Sequence, residues 1–146
     1  MNRRLIQIAI LLMITTALLF ACTNRNLVEK KADEKAESIG EEYGFTMFHV
    51  TFDTTEMKEA LMSRYDEKTD KTEAVYENKI EDVFLHGDKA MEKLDKIFKE
   101  LELDPDMDDE DMIKETSKAF EVMDYKSLKL EVTFKGHDTK ELMMTK

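Results

Sequence analysis

An acidic stretch near the middle of the chain carries the densest group of potential metal ligands. Carboxylates stand at the first, third, fifth and twelfth positions of a possible loop, namely Asp104, Asp106, Asp108 and Glu115. This is the spacing of the oxygen ligands in a calcium loop of the EF-hand type. Two positions depart from it: Asp109 occupies the sixth place, where a glycine permits the sharp turn, and Asp111 occupies the eighth, which is usually apolar.

A simpler explanation of the same carboxylates is the start of a helix. Acidic side chains collect at helix N-termini because they cap free backbone N–H groups and complement the helix dipole. The stretch stands directly before a predicted helix, so this explanation requires no metal. The sequence therefore predicts no metal or cofactor, with a Ca²⁺ site over residues 104–115 as the alternative.

The three histidines are scattered along the chain. His49, His86 and His137 share no metal-ligand spacing, and none stands beside a serine in a recognisable nucleophile motif. The pattern therefore predicts a protein that is not an enzyme. The alternative is an enzyme whose reactive groups converge from distant positions in the chain.

The only cysteine, Cys22, ends an apolar run. Arg3 and Arg4 precede this run, which contains no charged residue from Leu5 to Phe20. A cationic start, an apolar stretch and a small residue before a cut site are typical of a secretory signal. A retained membrane helix needs about 20 apolar residues and this run is shorter, so an uncleaved anchor is the alternative.

The four residues Leu19-Phe20-Ala21-Cys22 resemble the lipobox of bacterial lipoproteins. In that family the signal is cleaved before the cysteine, and the thiol carries a diacylglycerol. The resemblance implies that residues 1–21 are removed and that Cys22 is lipidated. It also implies that the protein is held on the outer face of the cell membrane, outside the cytoplasm.

The charge of the chain limits its partners. After removal of residues 1–21, 20 basic residues face 33 acidic ones, a formal charge of −13. Nucleic acids and anionic lipid headgroups attract basic surfaces, so neither is expected to bind the protein surface. The partners that remain are the membrane, reached through the lipid on Cys22, and an envelope protein or a small ligand.

Alternation and helical spacing predict the elements of a folded domain over residues 45–146, which follows a charged tether over 22–44. Phe48, Val50 and Phe52 alternate as in a half-buried strand, and weaker strands are expected near 58–66 and 73–81. Asp88 is the expected N-cap of a helix that ends near Leu101. A second helix is expected over 109–123 with Met123 on its inner face, and two strands follow, over 128–134 and 140–145.

Each predicted strand has one apolar face and each predicted helix has one apolar stripe. An antiparallel sheet with the helix pair on one face buries both kinds of apolar surface at once. We therefore expect an α+β domain in the order β-β-β-α-α-β-β, with about five strands and two helices.

Core and turn positions from residue 45 to the C-terminus resemble the YusW-like lipoproteins of Gram-positive bacteria. The positions that carry the resemblance are the segment Phe48-His-Val-Thr-Phe, Tyr65, Gly87-Asp-Lys-Ala90, Leu94-Asp-Lys-Ile97-Phe98, Leu101-x-Leu103-x-x-x-Met107, Ile113, Ala119-Phe120, Leu130-x-Val-x-Phe134 and Gly136. The family has no established activity. The resemblance therefore implies a fold and a cellular address, and it carries over no catalytic residue.

Overall fold

The computed structural model describes residues 25–29 and 40–146. The predicted signal at 1–21 and the predicted lipidation site Cys22 lie outside the described residues. The elements are β1 (Phe45–Asp53), β2 (Leu61–Glu67), β3 (Thr72–Asn78), β4 (Val83–His86), α1 (Asp88–Glu100), α2 (Asp109–Ala119), β5 (Ser127–Phe134) and β6 (Thr139–Thr145). No helix within these described ranges is long and apolar enough to cross a membrane.

The strands form one antiparallel sheet in the order β4-β3-β2-β1-β5-β6. β1 lies inside the sheet because its alternation buries Phe48, Val50 and Phe52 on one face, each no more than 1% exposed. His49 pairs with Arg64 and Glu131 on the opposite face. The expected α+β class is confirmed.

Both helices cover the apolar face of the sheet. α1 lies over β3 and β4, whereas α2 lies over β5 and β6. The two helices meet the centre of the sheet through aromatic rings: the Phe48 ring centroid lies 5.2 Å from that of Phe98 and 5.9 Å from that of Phe120. Such ring pairs add to the stability that burial of apolar surface already provides.

Three local predictions differ from the structure. The strand β4 was not predicted, because four residues are too few to show an alternation. Gly87, rather than Asp88, is the N-cap of α1, and Asp88 is the first helical residue. α2 ends at Ala119, and Met123 is 53% exposed instead of buried, because Glu121 adopts a left-handed φ of 58° and turns the chain away.

The described parts of the predicted tether contact the domain. Leu27 forms an antiparallel bridge with Glu73 of β3. Gly40 is buried and donates its N–H to the Glu67 carboxylate at 2.9 Å, and the Tyr43 hydroxyl donates to Asp95 at 2.8 Å. Residues 25–29 and 40–44 therefore pack on the domain, while the boundary at residue 45 stays a prediction.

Candidate functional site

A cleft of about 530 Å³ opens on the helical side of the molecule. It lies between α1 and the turn at 119–124, which begins with the last residue of α2, and above the end of β3. The side chains of Tyr76, Ile97 and Phe120 are buried and supply apolar surface to it. Polar and charged side chains make up about half of the lining, so the cleft combines apolar and polar groups. A cleft in which such groups converge is a candidate binding site.

Helical spacing gives α1 one wall of this cleft. Lys93, Lys96, Ile97 and Glu100 are separated by three and four residues, so they share a face of the helix. The Lys93 ammonium lies 5.5 Å from the centroid of the Tyr76 ring, within the range of a cation–π contact. Burial raises the pKa of the Tyr76 hydroxyl, so this group stays neutral at physiological pH.

The opposite wall depends on how α2 ends. The Val122 N–H donates to the Ser117 carbonyl at 3.0 Å, and the Ser117 hydroxyl donates to the Val122 carbonyl at 2.9 Å. These bonds fix the turn that carries Met123 to the surface. Ile80, from the β3–β4 turn, also lines the cleft and is 61% exposed, so apolar side chains stand uncovered at the mouth.

Acidic groups outnumber basic groups around the cleft. Carboxylates of Glu81, Glu100, Glu121 and Asp124 line it together with the ammonium groups of Lys93 and Lys96. The mouth therefore combines an apolar floor with a net negative rim. This arrangement suits a ligand that brings an apolar group and positive charge.

A second polar cluster lies on the opposite, open face of the sheet. His49 Nε2 lies 2.8 Å from Asp66 Oδ2, and His49 Nδ1 lies 3.7 Å from Glu131 Oε2. Burial raises the pKa of Asp66, but the hydrogen bond from His49 and the nearby charges of His49, Lys68 and Arg64 together outweigh burial and lower that pKa. The ion pair with Lys129 lowers the pKa of Glu131. Both ring nitrogens of His49 therefore face carboxylates on the open face of the sheet.

The acidic stretch 104–115 is divided between a turn and the start of α2. The Asp106 N–H donates to the Asp104 carboxylate at 2.8 Å, and Asp108 is the N-cap of α2. Glu115 lies within the helix and pairs with Lys118 at 3.7 Å. In the part of the chain that the structure describes, no three His, Cys, Asp or Glu side chains are grouped to hold a metal ion. The calcium alternative stays a prediction without geometric support.

Sequence reasoning missed the cleft. Tyr76 lies in β3, Ile97 lies in α1 and Phe120 directly follows α2, and each has the pattern of an ordinary core residue. The departure of the chain at Glu121, which leaves the space open, depends on a left-handed residue that is not glycine. Such a residue gives little signal in a sequence.

Comparison with known families provides one match. A family model described as YusW-like protein matches residues 48–136, more than half of the chain. The chain belongs to the YusW-like family. The YusW-like match includes every residue that lines the cleft, and it stops at Gly136, before β6. No curated protein and no solved structure matches the chain.

Proposed function

We propose that this YusW-like protein is a lipid-anchored binding module that acts outside the cytoplasm and catalyses no reaction. The sequence Leu19-Phe20-Ala21-Cys22, at the end of an uncharged apolar run, supports the anchor. Two or more acyl chains hold a protein stably on a bilayer, whereas a single chain holds it only marginally. A diacylated Cys22 therefore keeps the domain at the outer face of the membrane.

The cleft between α1 and the turn at 119–124 is the observation that carries the binding role. Its apolar floor and acidic rim favour a peptide segment of an envelope protein in which an apolar side chain is flanked by basic residues. The apolar side chain covers Ile80 and Met123 at the mouth, and the basic residues face Glu100 and Glu121.

Site-specific photocrosslinking in living cells tests the binding role. A photoreactive amino acid replaces Met123 at the cleft or, as a matched control, Met143 on β6, which is 71% exposed and outside the cleft. We expect a discrete protein adduct from position 123 and none from position 143. Equal adducts at both positions would contradict a site in the cleft.

A blocking substitution sharpens this experiment. Ala119→Trp places a large side chain on the wall of the cleft, whereas Lys114→Trp places it on an exposed position of the same helix outside the cleft. We expect the adduct from position 123 to disappear with Ala119→Trp and to persist with Lys114→Trp. Circular dichroism of both variants confirms that the fold is kept, and an adduct that survives Ala119→Trp in the folded protein contradicts the proposal.

The anchor has its own test. We expect Cys22→Ser to abolish labelling by a radioactive fatty acid, and the protein to stay unprocessed or to enter the medium. Labelling equal to that of the parent protein would contradict lipidation at Cys22.

A further inference from the structure

We propose that residues 25–29 form a strap that holds the lipid anchor against one edge of the sheet. The domain then stands with its β4 edge towards the membrane and its β6 edge away from it. This inference rests on the proposed lipid attachment at Cys22. It states in addition which side of the domain faces away from the membrane and how far the domain can extend from the membrane.

Backbone pairing places the strap on β3. The Val28 N–H donates to the Thr72 carbonyl at 2.8 Å, and the Ala74 N–H donates to the Asn26 carbonyl at 2.7 Å. β4 pairs with β3 only from Val75 to Asn78. The strap therefore continues the line of β4 and covers the remaining edge of β3, which would otherwise expose unpaired backbone groups.

Side chains of the domain also hold the strap. Asn26 Oδ1 lies 2.6 Å from His86 Nδ1, and the Glu29 N–H donates to the Asp88 carboxylate at 2.7 Å. Asp88 thus receives a hydrogen bond from the strap, although its position at the start of α1 suggests a helix cap. These contacts join the strap to the junction between β4 and α1.

Gly87 lets the strap approach this closely. A Cβ atom at this position would lie 2.4 Å from the Leu27 carbonyl oxygen, and the backbone has a positive φ of 56°. Any other residue would therefore collide with the strap backbone. The absence of a side chain at Gly87, the first residue of the segment Gly87-Asp-Lys-Ala90, therefore leaves room for the strap.

The length of chain before the strap sets the distance to the membrane. Three residue steps separate Cys22 from Arg25, and they span at most about 11 Å. Across the sheet, five strand spacings of about 4.8 Å separate β4 from β6, roughly 24 Å. The β4 edge is thus confined near the bilayer, and the acidic domain is not drawn down onto anionic headgroups.

The orientation with the β4 edge towards the membrane limits which proteins can reach the cleft. α1, which forms one wall of the cleft, covers β3 and β4 and so lies on the membrane-proximal half of the domain. A cleft held there meets proteins that themselves lie at the membrane surface. Proteins that extend well beyond the surface meet the β6 edge first.

Fluorescence quenching in vesicles tests the orientation. The lipoprotein is purified from membranes and reconstituted into vesicles of phosphatidylglycerol and phosphatidylcholine that contain a lipid with a nitroxide headgroup. A fluorophore is attached at Lys89→Cys, beside the strap, or at Met143→Cys on β6, where both positions are exposed. We expect quenching to be several-fold stronger at position 89 than at position 143.

Two variants release the strap by different means. Gly87→Ala removes the space for the Leu27 carbonyl, and Val28→Pro removes the N–H that bonds to Thr72. Gly136→Ala is the matched control, because Gly136 also has a positive φ but a Cβ there would contact nothing within 4 Å. We expect both release variants to reduce the difference in quenching between the two positions and the control to retain it.

The outcomes separate the two proposals. Mass spectrometry of the same preparation shows whether Cys22 carries lipid, and its absence would overturn the proposed anchor. If Cys22 is lipidated and the two positions are quenched equally, the anchor stands and the strap is wrong. The strap is also wrong if both folded release variants retain the full difference.

Discussion

Asp53, at the end of β1, joins three parts of the chain. Its carboxylate accepts the Glu59 N–H at 2.7 Å and the Ser127 hydroxyl at 2.8 Å, and its carbonyl accepts the Lys126 N–H at 2.7 Å. The backbone N–H of Glu59, followed by the Ser127 hydroxyl, lowers the pKa of Asp53. Since the ionised form is the better acceptor, this carboxylate stabilises the loop between β1 and β2.

Asp53→Asn is expected to lower the free energy of unfolding by about 1 kcal/mol at pH 7. A carboxyl group whose pKa is lowered by folding stabilises the protein above its unfolded pKa, about 3.9, and this stabilisation is lost as the pH falls through the folded pKa. The loss of unfolding free energy caused by Asp53→Asn should therefore be smaller at pH 3 than at pH 7, as measured by urea unfolding. Asp70→Asn, in the exposed β2–β3 turn, is the control. If Asp53→Asn loses the same free energy of unfolding at both pH values, the ionised Asp53 carboxylate is not the source of the stabilisation.

Two phenylalanines in strands test the assignment of the core. Phe48 is fully buried between the helices and the sheet, whereas Phe84 is 56% exposed on the open face. We expect Phe48→Ala to cost about 3–5 kcal/mol because it leaves a cavity, and Phe84→Ala to change stability by about 0.5 kcal/mol or less. Chemical denaturation measures both changes in the free energy of unfolding. Similar losses in the two variants would contradict the assignment of Phe48 to the core and Phe84 to the surface.

At the scale of elements, the success of sequence reasoning followed the length and regularity of each pattern. β1 and β5 could be predicted because seven or more residues alternate over a single buried face. β4 could not be, since its four residues are held by pairing with β3 and by the strap beyond it. The cap at Gly87 was missed for the same reason: its backbone is set by a distant segment, Leu27, rather than by its neighbours.

The rim of the cleft provides a prediction about charge. Glu100→Lys reverses a carboxylate in the cleft, whereas Glu110→Lys makes the same change on an exposed position of α2 outside it. Because the proposed partner segment is basic, we expect the Met123 photocrosslink to fall several-fold with Glu100→Lys and to be unchanged with Glu110→Lys. A yield that rises with Glu100→Lys would indicate an acidic partner instead.

The acidic turn before α2 allows a direct test of the calcium alternative. Asp104 and Asp108 lie at a turn and at a helix cap, and the Asp104 carboxylate already accepts a backbone N–H. We expect isothermal titration of the wild-type protein with Ca²⁺ to give no saturable heat. Saturable heat that Asp104→Asn with Asp106→Asn removes would establish the calcium site and contradict this expectation.

At the scale of the whole molecule, the two edges of the sheet differ. The β4 edge is short and is completed by the strap, while β6 offers seven residues at the other edge. The sequence could predict the layers of this molecule, because burial patterns are local. It could not predict the cleft or the strap, because both arise where segments far apart in the chain meet.

The net charge of the domain agrees with the proposed attachment to the membrane through a lipid. A formal charge of −13 after residue 21 keeps the domain soluble and is unfavourable for direct binding to anionic headgroups. The proposed attachment to the membrane therefore relies on the lipid at Cys22 and not on the surface of the domain. Both the cleft and the strap acquire their proposed roles only when Cys22 is at the bilayer.

Mass spectrometry of the N-terminal peptide from the native protein shows directly whether Cys22 is the lipidated first residue. We expect a peptide that begins at Cys22 and carries a diacylglycerol on the sulfur. A peptide that begins at Met1 and carries no fatty chain would contradict it.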